Sequence, residues 1–349
     1  MTSPPVNRRT LLAGLFGAIG AAGLAGCAED AASGARLAAA APLPTAVDPA
    51  TELVISIHLT HVSLKASGEL GKLPFKVRDW PNISAGPDVI QGFRARSIDL
   101  ASNAGIPPIQ AEAIKVAAKI VAVQTKKAPI YTYATAPGTP VKDLADLRGK
   151  KIGFSQGQAQ GLVVLRTLKE QGLKASDVQL VALPSTKFLV ALQSRQIDIA
   201  PLGEPVLTKY LGEYGKDGAI GIPMTAIDYL TILWAPAEVL ADSAKTAAIR
   251  AFIPFWAKSK VWQYENEDAW NDAYYVKDQA VTAADGKRIL AVEDKPVFPT
   301  NWDKAVAWQQ ESADLLVEGG FIQPIKAENL FDRRFESIAA ESVAAQYRE

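Results

Sequence analysis

The chain has 349 residues, 37 basic and 37 acidic side chains, and one cysteine. That balance excludes a nucleic-acid or anionic-membrane surface, both of which need a basic excess. A lone cysteine excludes an internal disulfide, so stability must come from a large apolar core, which a 48% hydrophobic content supplies, most naturally in two lobes.

In chain order, Arg8-Arg9 precede an uncharged apolar run over residues 11–26, which ends at Cys27. About 16 apolar residues are too few to cross a bilayer core, which takes roughly 20. A positive start, an apolar middle and small residues at the end lay out an export signal. Leu24-Ala25-Gly26-Cys27 resembles a bacterial lipoprotein signal, in which cleavage leaves the cysteine as a lipid-modified first residue. Asn7-Arg8-Arg9-Thr10-Leu11-Leu12 resembles the twin-arginine export pattern. A buried thiol in an N-terminal helix is the alternative for Cys27. The sequence thus predicts an export signal over 1–26, an extracytoplasmic protein held to the cell membrane by lipid on Cys27, and a flexible Ala-rich tether over 27–50.

The folded body begins with a β-branched run at 53–57, which suits a buried parallel strand. A helix over 62–70, a strand at 75–80, a turn into a helix at 84–88 and a strand at 97–101 follow. A helix over 107–117 and strands at 120–123 and 130–135 complete a first lobe. The second opens with a short helix at 140–144 and a strand at 151–154. A helix over 159–171 closed by Gly172, a strand at 178–181, a helix at 187–194 and a strand at 197–200 continue it. The chain returns at 229–234, and helices are predicted over 245–265, 267–281, 302–318 and 334–346. This alternation predicts an α/β fold, with 51–135 plus 230–349 as lobe 1 and 136–229 as lobe 2. Ligands in such sheets bind at the carboxyl ends of strands, which singles out the loops after Ile57, Trp80, Ala101, Phe154 and Ala200.

Several segments together resemble the sulfonate/nitrate/taurine type of solute-binding protein. They are Ser97-Ile98-Asp99-Leu100 with Asn103-Ala104-Gly105-Ile106-Pro107-Pro108-Ile109, and Val141-Lys142-Asp143-Leu144-Ala145-Asp146-Leu147-Arg148-Gly149-Lys150-Lys151-Ile152-Gly153-Phe154. Arg195-Gln196-Ile197-Asp198 with Gly203-Glu204-Pro205, and Gln309-Gln310-Glu311-Ser312-Ala313-Asp314-Leu315-Leu316, complete the set. The resemblance implies a type II periplasmic-binding fold with a ligand cleft between two lobes and extra C-terminal helices. It also implies a monomer that captures a small organic solute outside the cell and hands it to the permease and ATPase of an ABC importer. There are departures from the family pattern. Gln158, Ala159, Gln160 and Gly161 replace its serines and histidine, Gly203-Glu204-Pro205 replaces Trp-Asp-Pro, and Gly105 replaces an acid.

The candidate ligand contacts are His58, Thr60 and His61 after the first strand, and Ser84 and Gly86 at a helix start. Asn103 and Gly105 follow in the next loop, Gln156 and Gln158 lie at another helix N-terminus, and Glu204 and Tyr229 complete the set. Helix N-termini favour an anion or a carbonyl oxygen. For His58 the alternative is a polar residue capping the following helix. For Glu204 it is a cap or salt bridge near the hinge, since a free carboxylate in the cleft would repel an anion. Two histidines three apart, with no nearby Cys or carboxylate, do not make a zinc set, so neither metal nor cofactor is expected. Lys126, Lys127 and Lys187 read as solvated charges. Trp80 and Trp234 fall near the cleft, and Tyr229 with Trp234 is expected to supply the aromatic surface missing from the second lobe. No catalytic motif appears, so a binding protein is expected rather than an enzyme. An extracytoplasmic sensor, or a pyrimidine-precursor protein on the same fold, is the alternative.

Overall fold

The computed structural model describes residues 35–349. The export signal, Cys27 and the first residues of the expected tether lie outside the described residues. Ten strands follow in chain order: β1 (Glu52–Ser56), β2 (Lys76–Asp79), β3 (Leu100–Ala104), β4 (Ala118–Thr125), β5 (Tyr131–Thr135), β6 (Lys151–Phe154), β7 (Gln179–Ala182), β8 (Ile199–Gly203), β9 (Gly221–Pro223) and β10 (Leu230–Pro236). They form two five-stranded sheets, ordered β2-β1-β3-β10-β4 and β7-β6-β8-β5-β9. Each sheet has a parallel part wound with helices and an antiparallel edge: β1 runs parallel to β2 and β3, while β10 runs antiparallel to β3 and β4. In the second sheet β6 is parallel to β7 and β8, and β5 is antiparallel to β8 and β9. This is the two-lobed α/β architecture expected from the sequence.

Burial follows from composition. Leu53, Val54 and Ile55 of β1 and Ile120 to Val123 of β4 are fully buried, because helices cover the faces of the sheet. Helix Ser243–Glu265 starts at Asp242, whose side chain accepts from the Ala244 and Lys245 amides. It lays Phe252, Ile253, Trp256 and Ala257 into the main core.

One local device recurs in both lobes. A helix ends, an arginine adopts a left-handed backbone (Arg96 at φ 55°, Arg195 at φ 56°), and an Ile-Asp pair leads into the next strand. Asp99 donates its amide to Val54 O and accepts the Val54 amide at 2.8 Å. Asp198 does the same with Lys151, again at 2.8 Å. Each carboxylate locks the incoming strand to its parallel neighbour.

Three expectations are corrected. Tyr131–Thr135, placed at the end of the first lobe, pairs with β8 and β9 in the second sheet, so the first crossing is at 126–130 rather than near Thr135. The crossings are tied together where the Lys126 amide donates to Tyr229 O at 2.8 Å. Residues 35–50 do not run free as a tether. Arg36 bridges Asp242, the Leu37 amide donates to Ala241 O, Arg334 donates to Ala41 O, and Leu43 and Val47 pack on the main core. Residues 334–346, expected as one helix, break into turns Arg333–Phe335, Ile338–Glu341 and Ala345–Tyr347, with Ser337 left-handed at φ 69°.

Candidate interlobe binding site

The loops at the carboxyl ends of β1, β2, β3, β6 and β8 supply the candidate residues other than Tyr229, and the structure brings helix starts of the two lobes into contact. Helices Gly86–Arg94 and Ile106–Ala113 belong to the first lobe, and Ala159–Glu170 to the second. No side chain caps any of the three N-termini. A Cβ on Gly86 would lie 2.4 Å from Pro107 Cγ and 2.9 Å from the Gly157 carbonyl oxygen. Only a residue without a side chain allows so close an approach. Gly157 in turn faces Pro87 and Gln110. Three partially positive helix ends therefore converge on one interlobe seam.

The amide side chains around this seam are committed to the loops that carry them. Asn103 donates through Nδ2 to Ser84 O and accepts through Oδ1 from Trp234 Nε1, both at 2.8 Å. Gln158, almost wholly buried, accepts from Ser155 Oγ and, at 2.9 Å, from the Ser185 amide. Gln156 reaches across to donate to Phe321 O at 2.8 Å, and Phe154 packs on the Phe321 ring. Gly105 donates nothing from a side chain. Its carbonyl accepts from Gln309 Nε2, and its bare Cα makes room for that side chain.

The first-strand residues separate. His58 Nε2 lies 2.9 Å from the Asp278 carboxylate. His61 stacks flat on Trp80, with ring centroids 4.6 Å apart. Burial, followed by the neighbouring His58 and Lys65, holds the His61 imidazole below its ordinary pKa. Burial works against ionising Asp278, but hydrogen bonds from His58 and Gln279 and the charge of Lys209 keep its carboxyl below the usual range. Thr60 is buried against Ser259 of the long helix, 3.5 Å between hydroxyls.

Glu204 accepts from the Thr208 amide and hydroxyl at 3.1 and 2.7 Å and sits 3.6 Å from Arg288. Tyr229 packs on Trp308 and lines a small cavity of about 100 Å³ with Thr125, Lys304 and Glu349, at the hinge rather than at the seam. Trp234 is fully buried in the first lobe against Phe93, so it supplies no aromatic surface to the second. Among the described residues, no group of three His, Cys, Asp or Glu side chains is placed to hold a metal ion.

Sequence reasoning missed Asp278, Arg288 and Phe321 and the pairing of Gln309 with Gly105, all from the C-terminal third. The hinge adds Asp228, fully buried, whose nearest cation is Lys126 at 3.7 Å. Burial pushes the Asp228 carboxyl up, and Lys126 and Arg166 oppose that only in part. Lys126 is thus a hinge residue rather than a solvated charge. A buried acid beside a lysine at the end of the neighbouring strand, far away in sequence, has no local sequence signature.

Residues 88–219 match the family described as NMT1/THI5 like. An Escherichia coli protein provisionally named an aliphatic sulfonates-binding protein is 32% identical over 143 residues, covering 40% of this chain and 45% of that protein. The chain thus matches less than half the length of this curated relative. The fold matches the periplasmic aliphatic sulphonate-binding protein of Escherichia coli, with TM-score 0.66, 21% identity, and 81% and 92% of the two chains covered. It also matches the alkanesulfonate-binding protein of Xanthomonas axonopodis pv. citri bound to MOPS, with TM-score 0.67, 17% identity, and 87% and 100% covered. A desulfurization enzyme shares the architecture at TM-score 0.53 and 13% identity, covering 84% and 98%. The chain has the periplasmic-binding fold, and this likeness in fold covers 81% of it against the Escherichia coli structure.

Proposed function

We propose that this protein is the extracytoplasmic solute-binding component of an ABC importer and captures a small sulfonate-like anion between its lobes. The observation that carries this reading is the convergence of three uncapped helix N-termini on one seam. Pro87, Pro107 and Pro108 carry no N–H, so the donors are the backbone amides of Gly86, Ile106, Ala159 and Gln160, which with the field of the helix ends suit a multi-oxygen anion without requiring an arginine or a lysine. The commitment of Asn103 and Gln158 to their loops fits the same picture: side chains shape the site and backbone donates. Binding without chemistry is the proposed activity.

Solute enters while the lobes are apart, the segments at 126–130 and 224–229 bend, and closure brings the helix starts together. The closed form then docks on its permease. Lipid on Cys27, after export by the twin-arginine route, keeps the protein near that permease and raises its effective concentration there. Labelling with a fatty-acid analogue tests the anchor: Cys27→Ser abolishes incorporation.

A thermal-shift screen of the soluble form starting after Cys27 tests the solute class. Methanesulfonate, MOPS, nitrate, aromatic carboxylates, pyrimidines and amines are the panel. A ligand at 100 times its dissociation constant adds about 2.7 kcal/mol of stability. Stabilisation by the sulfonates is expected. Stabilisation by amines or pyrimidines alone overturns the anion reading.

A further inference from the structure

The segment from Asn266 to Glu293 is built as a separate piece. Helix Glu267–Trp270, the wide turn Asn271–Val276 and helix Ala283–Leu290 bury Trp270, Tyr274, Tyr275, Val281, Ile289 and Leu290 in their own apolar cluster. That cluster rests on Val62 and Trp262, both of the first lobe. Asp278 adds a polar root there through His58, the residue that opens the helix after β1.

From this root the segment reaches the other lobe at Arg288. Its guanidinium donates to Thr208 Oγ1 and lies 3.6 Å from Glu204, and Thr208 Oγ1 donates to Glu204 at 2.7 Å. Arg288 also lies 3.7 Å from Asp285 of its own helix, which aims the guanidinium. Glu204 and Thr208 stand at the carboxyl end of β8 and on the helix that follows, the rim of the second lobe. The segment thus bridges the two lobes, rooted on one side and hooked on the other.

We propose that residues 266–293 form a strap and that Arg288 is the positioning residue fastening it to the second lobe, with Glu204 as its anchor rather than a contact for solute. This explains how a carboxylate stands at the rim of a site for an anion. Its Oε1 faces Arg288, and its Oε2 accepts from the Thr208 amide and hydroxyl. The hook is solvent-exposed on the arginine side, with 56% of the side chain accessible. It is therefore a weak, reversible fastening suited to lobes that must reopen.

Spin labels at Lys76→Cys and Val190→Cys, in the soluble form lacking Cys27, report the separation of the lobes by pulsed dipolar spectroscopy without ligand. Arg288→Ala is expected to broaden the distance distribution toward longer values, and the exchange Glu204→Arg with Arg288→Glu to narrow it again. Identical distributions for the parent and Arg288→Ala overturn the proposal, as does a failure of the exchange to restore the parent distribution while the protein stays folded. Methanesulfonate affinity is the second arm, in which losing the fastening weakens binding about 2- to 5-fold. If Glu204→Gln alone tightens methanesulfonate binding with unaltered distances, Glu204 faces solute and the proposal falls. If the parent binds no sulfonate, only the solute reading fails, because the ligand-free distances decide the strap by themselves.

Discussion

The two lobes solve the same local problem with different insulation. In each, an arginine in a left-handed turn leads to an Ile-Asp pair, and the aspartate takes the backbone amide of the strand alongside. In the first lobe the acid is Asp99, 8% exposed, and its second oxygen receives Lys245 Nζ at 2.7 Å. In the second lobe Asp198 is half-buried, its second oxygen meets only Thr139 Oγ1 at 3.5 Å, and the Lys151 residue it holds is exposed. An identical motif therefore carries different weight according to what water can replace.

Removing the carboxylates gives the largest expected contrast. Asp99→Ala strands the buried Val54 amide and the Lys245 ammonium, at a cost of about 2–3 kcal/mol. Asp198→Ala exposes an amide that water can reach, at a cost of about 1 kcal/mol. Urea unfolding of both variants measures the difference. Equal losses would mean that burial does not set the value of this device.

A second contrast comes from the two amide braces. Asn103 uses both ends of its amide, as donor to Ser84 and acceptor from Trp234. Gln158 uses only its oxygen, twice as acceptor, at the N-cap of helix Ala159–Glu170. Asn103→Asp therefore turns a donor toward Ser84 O into a repelling oxygen and costs about 2 kcal/mol. Gln158→Glu keeps both hydrogen bonds but buries a negative charge that the helix end offsets only in part, so it also costs about 2 kcal/mol. At the seam, Gln158→Glu repels an anion. It is expected to lower the unfolding midpoint and, while the protein still unfolds cooperatively, to abolish the thermal shift with methanesulfonate. A variant that still binds methanesulfonate as the parent does would move the site away from this helix.

What the sequence disclosed and what it withheld follow from range. Strand β1 is a β-branched run and β6 and β8 are short apolar runs between turn signals, and the loops at their ends follow from topology alone. Tyr131–Thr135 reads equally well as the last strand of one sheet or the first of the next, and only its pairing with β8 decides. Residues 35–50 dock through backbone pairing at Arg36 and Asp242, which leaves no side-chain signature. The residues around the seam were legible as positions, but their partners were not. His58 meets Asp278 across 220 residues, and Gly105 meets Gln309 across 204. An amide in a cleft loop reads as a ligand contact until the backbone group that occupies it is known.

The smallest expected effect is a difference in pH response between the lobes. Both histidines of the chain, His58 and His61, lie in the first lobe. His61 is held below the ordinary histidine value of 6.5 by burial first, then by His58 and Lys65. The folded state therefore binds fewer protons than the unfolded chain just below that value. The contribution is complete above pH 6.5 and is lost as the pH falls through it toward the lowered folded pKa. Solvent reaches part of the ring, which keeps the loss small. His61→Phe keeps the stack on Trp80 and removes the proton. Its stability relative to the parent should rise as the pH drops from 7.5 to 5. Amide exchange should place that change in the helix His58–Ala66 and leave the loop before Ala159–Glu170 unaffected. An equal response in both loops would mean that the acid sensitivity comes from the carboxylates shared by the whole molecule, and the stacked histidine would then have no part in it.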